Sequence, residues 1–192
     1  MKSAIIILLH SLLVVYSGVN QGYAQANILV VYHSKTGNTE QMARAVYEGA
    51  SSVDGVVVNL KTIEEATTQD VLDADAILLG SPVYNANVTP EVQKFITSWP
   101  FENMPLKNKL GAAFVTAGGI SAGEEITQMN ILQSMLIFGM IVMGGEDWQS
   151  PFGASAVVSE PPFNEQQTVA SQFLEKGFSL GRRLATMAAQ MN

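Results

Sequence analysis

Ile28-Leu29-Val30-Val31-Tyr32-His33-Ser34-Lys35-Thr36-Gly37-Asn38-Thr39-Glu40-Gln41-Met42-Ala43-Arg44-Ala45-Val46 decides the fold of this chain. Its first five residues are apolar at consecutive rather than alternating positions, as in a strand covered on both faces. A polar turn with three hydroxyls and one glycine follows. Beyond it Met42, Ala43, Val46 and Ala50 recur at helical spacing, with Glu40, Gln41, Arg44 and Glu48 on the other side. The stretch therefore predicts a buried central strand, a tight loop and a helix over about 38–51.

Downstream the same alternation continues without repeat, linker or low-complexity tract. Strands are expected at 55–60, 74–80, 110–116 and 140–144. A short helix fits 69–72, and another follows Thr89, which can cap it, with Pro90 at its first position and Val92, Phe95 and Ile96 inward. The helix over 124–138 has two acids in its first turn and Gly139 where a C-terminal cap belongs. A last helix is predicted from Asn164, three residues ahead of Gln167 in a capping-box arrangement, with Ala170, Phe173, Leu174, Gly177, Leu180, Gly181 and Leu184 on its packing face. Strands and helices in this order make an α/β, doubly wound parallel sheet with helices on both faces.

Upstream, Lys2, an apolar run over 4–16 and a polar, small-residue stretch ending Tyr23-Ala24-Gln25-Ala26 have the layout of a secretory signal peptide. The run is too short for a membrane span, which needs about 20 apolar residues. The domains expected are residues 1–26 as a leader, cleaved near Ala24 or Ala26, and 27–192 as the mature domain. The protein is expected to be exported to the periplasm, with no membrane span after cleavage.

The 192 residues hold no cysteine and two histidines, so thiol nucleophiles, Cys-ligated zinc, iron–sulfur clusters and disulfides are excluded. With His10 in the leader, His33 alone remains, too few for a two-histidine metal centre; no metal ligands are assigned. The net charge of −7 becomes −8 when Lys2 is lost with the leader. Such acidity disfavours nucleic acid, whose phosphates require clustered Lys and Arg.

Ligands of doubly wound sheets bind beyond the C-terminal strand ends. Three loops lie there. Ser34-Lys35-Thr36-Gly37-Asn38-Thr39 places hydroxyls and a glycine at a helix N-terminus, where unpaired N–H groups and partial positive charge suit a phosphate. It is neither a Walker loop nor Gly-x-Gly-x-x-Gly. Val30-Val31-Tyr32-x-Ser34-x-x-Gly37-x-Thr39-x-x-x-Ala43-x-x-Val46 resembles the flavodoxin signature, whose loop holds the phosphate of flavin mononucleotide (FMN). The second loop, through Pro82, Val83, Tyr84, Asn85, Ala86 and Asn87, resembles the segment wrapping the flavin ring. The third, with Thr116, Ala117, Gly118, Gly119 and Gly123, resembles the third flavin loop, its glycines allowing close backbone approach.

The resemblance extends over nearly the whole mature chain, and is closest to NAD(P)H:quinone oxidoreductases of the tryptophan-repressor-binding-protein type. Met42-Ala43-Arg44-Ala45-Val46-x-Glu48-Gly49-Ala50, Gly80-Ser81-Pro82 and Pro151-Phe152-Gly153-Ala154-Ser155 carry it. It implies a five-stranded sheet in the order 2-1-3-4-5, FMN as cofactor, NAD(P)H as electron donor and a quinone or similar acceptor; homo-oligomers occur among such reductases. This chain departs from them in its short segment between Gly144 and Pro151, in His33 where a tyrosine is expected, and in its leader. Flavin chemistry needs few protein acids or bases, which suits this composition; His33 and Tyr84 are the catalytic candidates. The alternatives are an electron-transfer flavodoxin docking a redox protein and a flavin-free descendant. Glu64, Glu65, Asp70, Asp73 and Asp75 are expected around the second helix rather than around the flavin loops, which leans towards the enzyme.

Overall fold

A computed structural model describes residues 25–165 and 168–191. The leader, Gln167 and hence the expected capping box of the last helix lie outside the described residues, apart from Gln25 and Ala26. Ala26 is fully buried as the first residue of β1, and its N–H donates to Gly55 O. Cleavage after Ala24 leaves that strand whole, whereas cleavage after Ala26 removes its first residue.

The deciding stretch folds as predicted into β1 (Ala26–Tyr32) and α1 (Asn38–Ser51). There follow β2 (Val56–Thr62), α2 (Thr68–Asp73), β3 (Ala76–Pro82), α3 (Pro90–Thr97), β4 (Leu110–Ala117) and α4 (Glu124–Ile137). The parallel sheet runs β2-β1-β3-β4-β5, the expected order, with β5 at Ile141–Val142. β1, β3 and β4 are buried along nearly their whole length, which explains their unbroken apolar runs; β2 at the edge alternates between half-buried and exposed. One core lies between the sheet, α1 and α5 (Ser171–Met191), around Met42, Val46, Phe114, Leu180 and Leu184. The other lies under α3 and α4, around Leu79, Phe95, Trp99, Ile131 and Met135, with Trp99 stacked edge-on to Phe95.

Two expectations are corrected. The fifth strand over 140–144 is only β5 (Ile141–Val142), paired to Leu110 and Gly111; β6 (Ala154–Val157) then continues along the same side of β4 from Phe114 to Ala117. The edge position is thus shared by two short strands. Between them the chain leaves the sheet and is drawn back where Gly145 N–H donates to Ser150 O at 2.7 Å, while Arg183 and Lys176 of α5 hold the excursion through backbone carbonyls. The last helix starts at Ser171 rather than Asn164, because Phe163–Glu165 forms a single 3₁₀ turn instead. Its packing face is as expected, and it lies against α1 as well as the sheet. Among the described residues, no helix is long and apolar enough to cross a membrane.

Candidate functional site: three joined loops

Loop 1 (34–39) joins β1 to α1. Gly37 adopts the left-handed conformation at φ 86° and supplies the helix N-cap, and no side chain caps the helix amides. Gly37 N–H instead donates to Ser34 Oγ (3.1 Å), and Asn38 Nδ2 to Thr36 Oγ1 (3.4 Å). Lys35 and Thr36 are exposed. An uncapped helix start ringed by hydroxyls and an ammonium is a suitable cradle for a phosphate.

Thr39, counted with the phosphate donors from sequence, is buried, and its hydroxyl lies 2.7 Å from that of Thr116 at the end of β4. It joins the first loop to the third. Val83 N–H donates to Thr116 O at 2.8 Å and joins the second to the same point. Thr39, Val83 and Thr116 therefore form the junction on which the loops converge.

Loop 2 (82–87) is a tight hairpin. Tyr84 and Asn87 exchange backbone hydrogen bonds of 2.9 and 3.0 Å, and Asn85 (φ 52°) and Ala86 (φ 59°) both turn left-handed between them. That geometry suits Asn and Gly best. Ala86 is held in it by contact with Gly123, where a β-carbon would overlap Ala86. Gly123, read from sequence as making room for a ring, thus makes room for loop 2. Tyr84 is 39% exposed, and Lys35 Nζ lies 5.6 Å from its ring centre.

Loop 3 (116–123) runs from Thr116 through Ala117, Gly118 and Gly119 to Gly123, the left-handed N-cap of α4. Two further residues brace loops 3 and 2 in turn. Glu160, just past β6, accepts the Ile120 N–H at 2.6 Å, and Asn130 of α4 donates to Asn87 Oδ1 at 3.3 Å. Glu160 lies just past β6, a strand that no local signal reveals, and Asn130, about 100° around the helix from the buried Ile131, carries no spacing that points to Asn87.

His33, at the end of β1, is buried between two carboxylates. Its Nδ1 is 3.3 Å from Glu64 and its Nε2 is 3.9 Å from Glu91, which also pairs with Lys35 at 3.2 Å. The Glu91 carboxyl is held below the usual range by its own backbone N–H and then by Lys35. Contrary to expectation, the acids are not confined to the surroundings of α2. Glu64 and Glu91 flank loop 1, while Glu124, Glu125 and Glu160 border loop 3. A recess of about 720 Å³ among Glu125, Glu146, Trp148 and Lys176 includes no residue of the three loops.

A doubly wound sheet whose uncapped helix start and two further loops meet at one edge defines a flavodoxin-like, FMN-binding redox domain. Residues 26–155 match the NADPH-dependent FMN reductase family, and the chain belongs to it. A flavodoxin of Aquifex aeolicus is 35% identical over 170 residues, covering 84% of this chain and 86% of that protein. A flavodoxin of Clostridium saccharobutylicum is 34% identical over 118 residues, 62% of this chain and 72% of its own length. Among solved structures, the flavodoxin, WrbA-like protein from Agrobacterium tumefaciens superposes with a TM-score of 0.70 at 23% identity, covering 88% of this chain and all of that one. An archaeal flavodoxin gives 0.66 at 25% identity over 84% of this chain and 98% of its own.

Proposed function

We propose that the protein is an FMN-dependent oxidoreductase that takes hydride from NAD(P)H and passes two electrons to a quinone or similar acceptor. The observation that carries this reading is the meeting of the three loops at Thr116 beside an uncapped helix start. When bound, FMN supplies the electron chemistry. Ser34, Thr36 and the first-turn amides of α1 hold its phosphate, with Lys35 beside them. Thr39 positions that loop through Thr116 instead of serving as a free donor. Pro82 to Asn87 and Thr116 to Gly123 frame the ring, and the exposed Tyr84 offers a flat surface for stacking. No side chain is required to move a proton. The NAD(P)H donor is supported by the family's description, and the quinone by resemblance alone.

One observation favours the carrier reading beside it. The carboxylates bordering loops 1 and 3 would attract a basic redox protein and repel the phosphates of NADPH. Holoprotein mixed with NADH or NADPH and a benzoquinone separates the two: turnover above that of free FMN supports the reductase, and none with FMN bound supports the carrier. We further propose export to the periplasm with cleavage after Ala24, which keeps β1 intact; N-terminal sequencing of the protein from fractionated cells tests it.

A further inference from the structure

We propose that His33 is a proton-operated latch on Lys35: protonation of its buried ring draws Glu91 away from Lys35 and frees the ammonium for a phosphate in loop 1. The inference rests on the reading of loop 1 as the FMN phosphate cradle. It begins from two polar atoms that lack partners. His33 Nε2 and Glu91 Oε2 are both buried without a hydrogen bond, and they face each other at 3.9 Å. A neutral imidazole carries one N–H, so it can donate to only one of two flanking carboxylates; an imidazolium can donate to both. The nitrogen facing Glu64 and the nitrogen facing Glu91 are both presented to acceptors. Two acceptors thus flank the ring, and in this arrangement the contact with Glu91 is unmade.

Closing the 3.9 Å gap requires Glu91 to move towards the ring. Its other oxygen holds Lys35 at 3.2 Å, and Lys35 in turn lies over Tyr84. Glu91 is on the first turn of α3 and Lys35 is on a half-exposed, flexible stem, so the motion is a rotamer change and leaves the fold in place. The charged groups facing this cluster are Glu64 from the segment after β2, Glu91 and Lys94 from α3, and Lys35 from loop 1; Glu64, Glu91 and Lys94 line one cleft of about 340 Å³. By linkage, a phosphate that recruits Lys35 must promote proton uptake at His33, and a proton on His33 must tighten phosphate binding.

Calorimetric titration with FMN in buffers of different ionisation enthalpy counts the protons taken up. The full chain is expected to take up more than H33N or E91Q, which should agree with each other; ionisation of the FMN phosphate itself is common to all three. E91Q should also bind FMN several-fold more tightly at pH 8, and this gain should vanish in the K35M background, where a general loss of negative charge would leave it intact. Riboflavin, which lacks the phosphate, should show neither effect. A proton count unchanged by both H33N and E91Q, or a gain that survives K35M, overturns the latch. Failure of the unaltered chain to bind FMN overturns the reading of loop 1 on which the latch stands. E91Q keeps the test independent of any folding defect in H33N, since Glu91 is 39% exposed at its side chain.

Discussion

The N-termini of α1 and α3 lie at the same edge of the sheet, but their first turns are satisfied in opposite ways. At α3, Thr89 is fully buried, its hydroxyl accepts the Val92 N–H at 3.3 Å, its own N–H donates to Ser81 Oγ, and Pro90 removes a donor that would otherwise need a partner. At α1, Gly37 brings no side chain at all, and the hydroxyls of Ser34 and Thr36 accept from Gly37 N–H and the Asn38 amide rather than from the first-turn amides. A closed helix start contributes stability; an open one keeps its donors for a ligand. α2 belongs with α3 through Thr67 and Asp70, and α4 with α1 through Gly123.

The largest expected effect tests whether the two glycine starts are alike. Gly37 is surrounded by open space, so G37A bears only the strain of a left-handed alanine, about 1 kcal/mol. At Gly123 the same strain is joined by overlap with Ala86, and G123A should lose about 2–3 kcal/mol, read as a fall in melting temperature of roughly 5–10 °C. Equal losses would show that loop 2 does not rest on α4.

Next comes the open end itself. T36V removes an exposed hydroxyl from loop 1 and should weaken FMN binding by about 1–3 kcal/mol while leaving unfolding unchanged. T39V should also lower stability, because it breaks the buried link to Thr116. Fluorescence titration with FMN and urea unfolding of both variants separate ligand donor from structural tie. At the closed end, T89A should cost about 1–2 kcal/mol of stability with no change in FMN affinity.

What could be read in the sequence follows the same division. α1 and the start of α3 were legible, since apolar spacing, Thr89 and Pro90 are local signals. β5 and β6 were not, because Met140-Ile141-Val142-Met143 reads as one apolar run, and nothing in it reveals that the chain leaves the sheet after Val142 and returns at Ala154. The three loops lie at the expected edge of the sheet, but the buried contact of Thr39 was not legible. Its partner Thr116 lies 77 residues away, and no spacing rule connects a hydroxyl to another across the sheet. Glu64 and Glu91 were likewise invisible as neighbours of loop 1, being brought there by the turn after β2 and by α3.

The smallest effect comes from the other closed end, and it has a pH signature that α1 lacks. Asp70 closes the start of α2: its carboxylate accepts Thr67 N–H and Oγ–H, both at 2.7 Å, and pairs with Lys61 at 2.6 Å. Lys61 first, and then Thr67, bring its pKa down to about 2. In the unfolded chain an aspartate titrates at about 3.9. The folded state therefore gains from Asp70 at every pH above that value, and the gain is lost as pH falls from about 4 through 2. Because the pair is partly in water, the contribution is about 1 kcal/mol. Urea unfolding should show D70N less stable than the unaltered chain by that amount at pH 7 and by only a small fraction of it at pH 2. Hydrogen exchange at pH 2 to 4 should show α2 loosening while α1, whose start has no titratable cap, keeps its protection. A D70N deficit that persists undiminished at pH 2 would mean that the side chain acts by shape rather than charge, and that the closed ends resist acid as well as the open ones do.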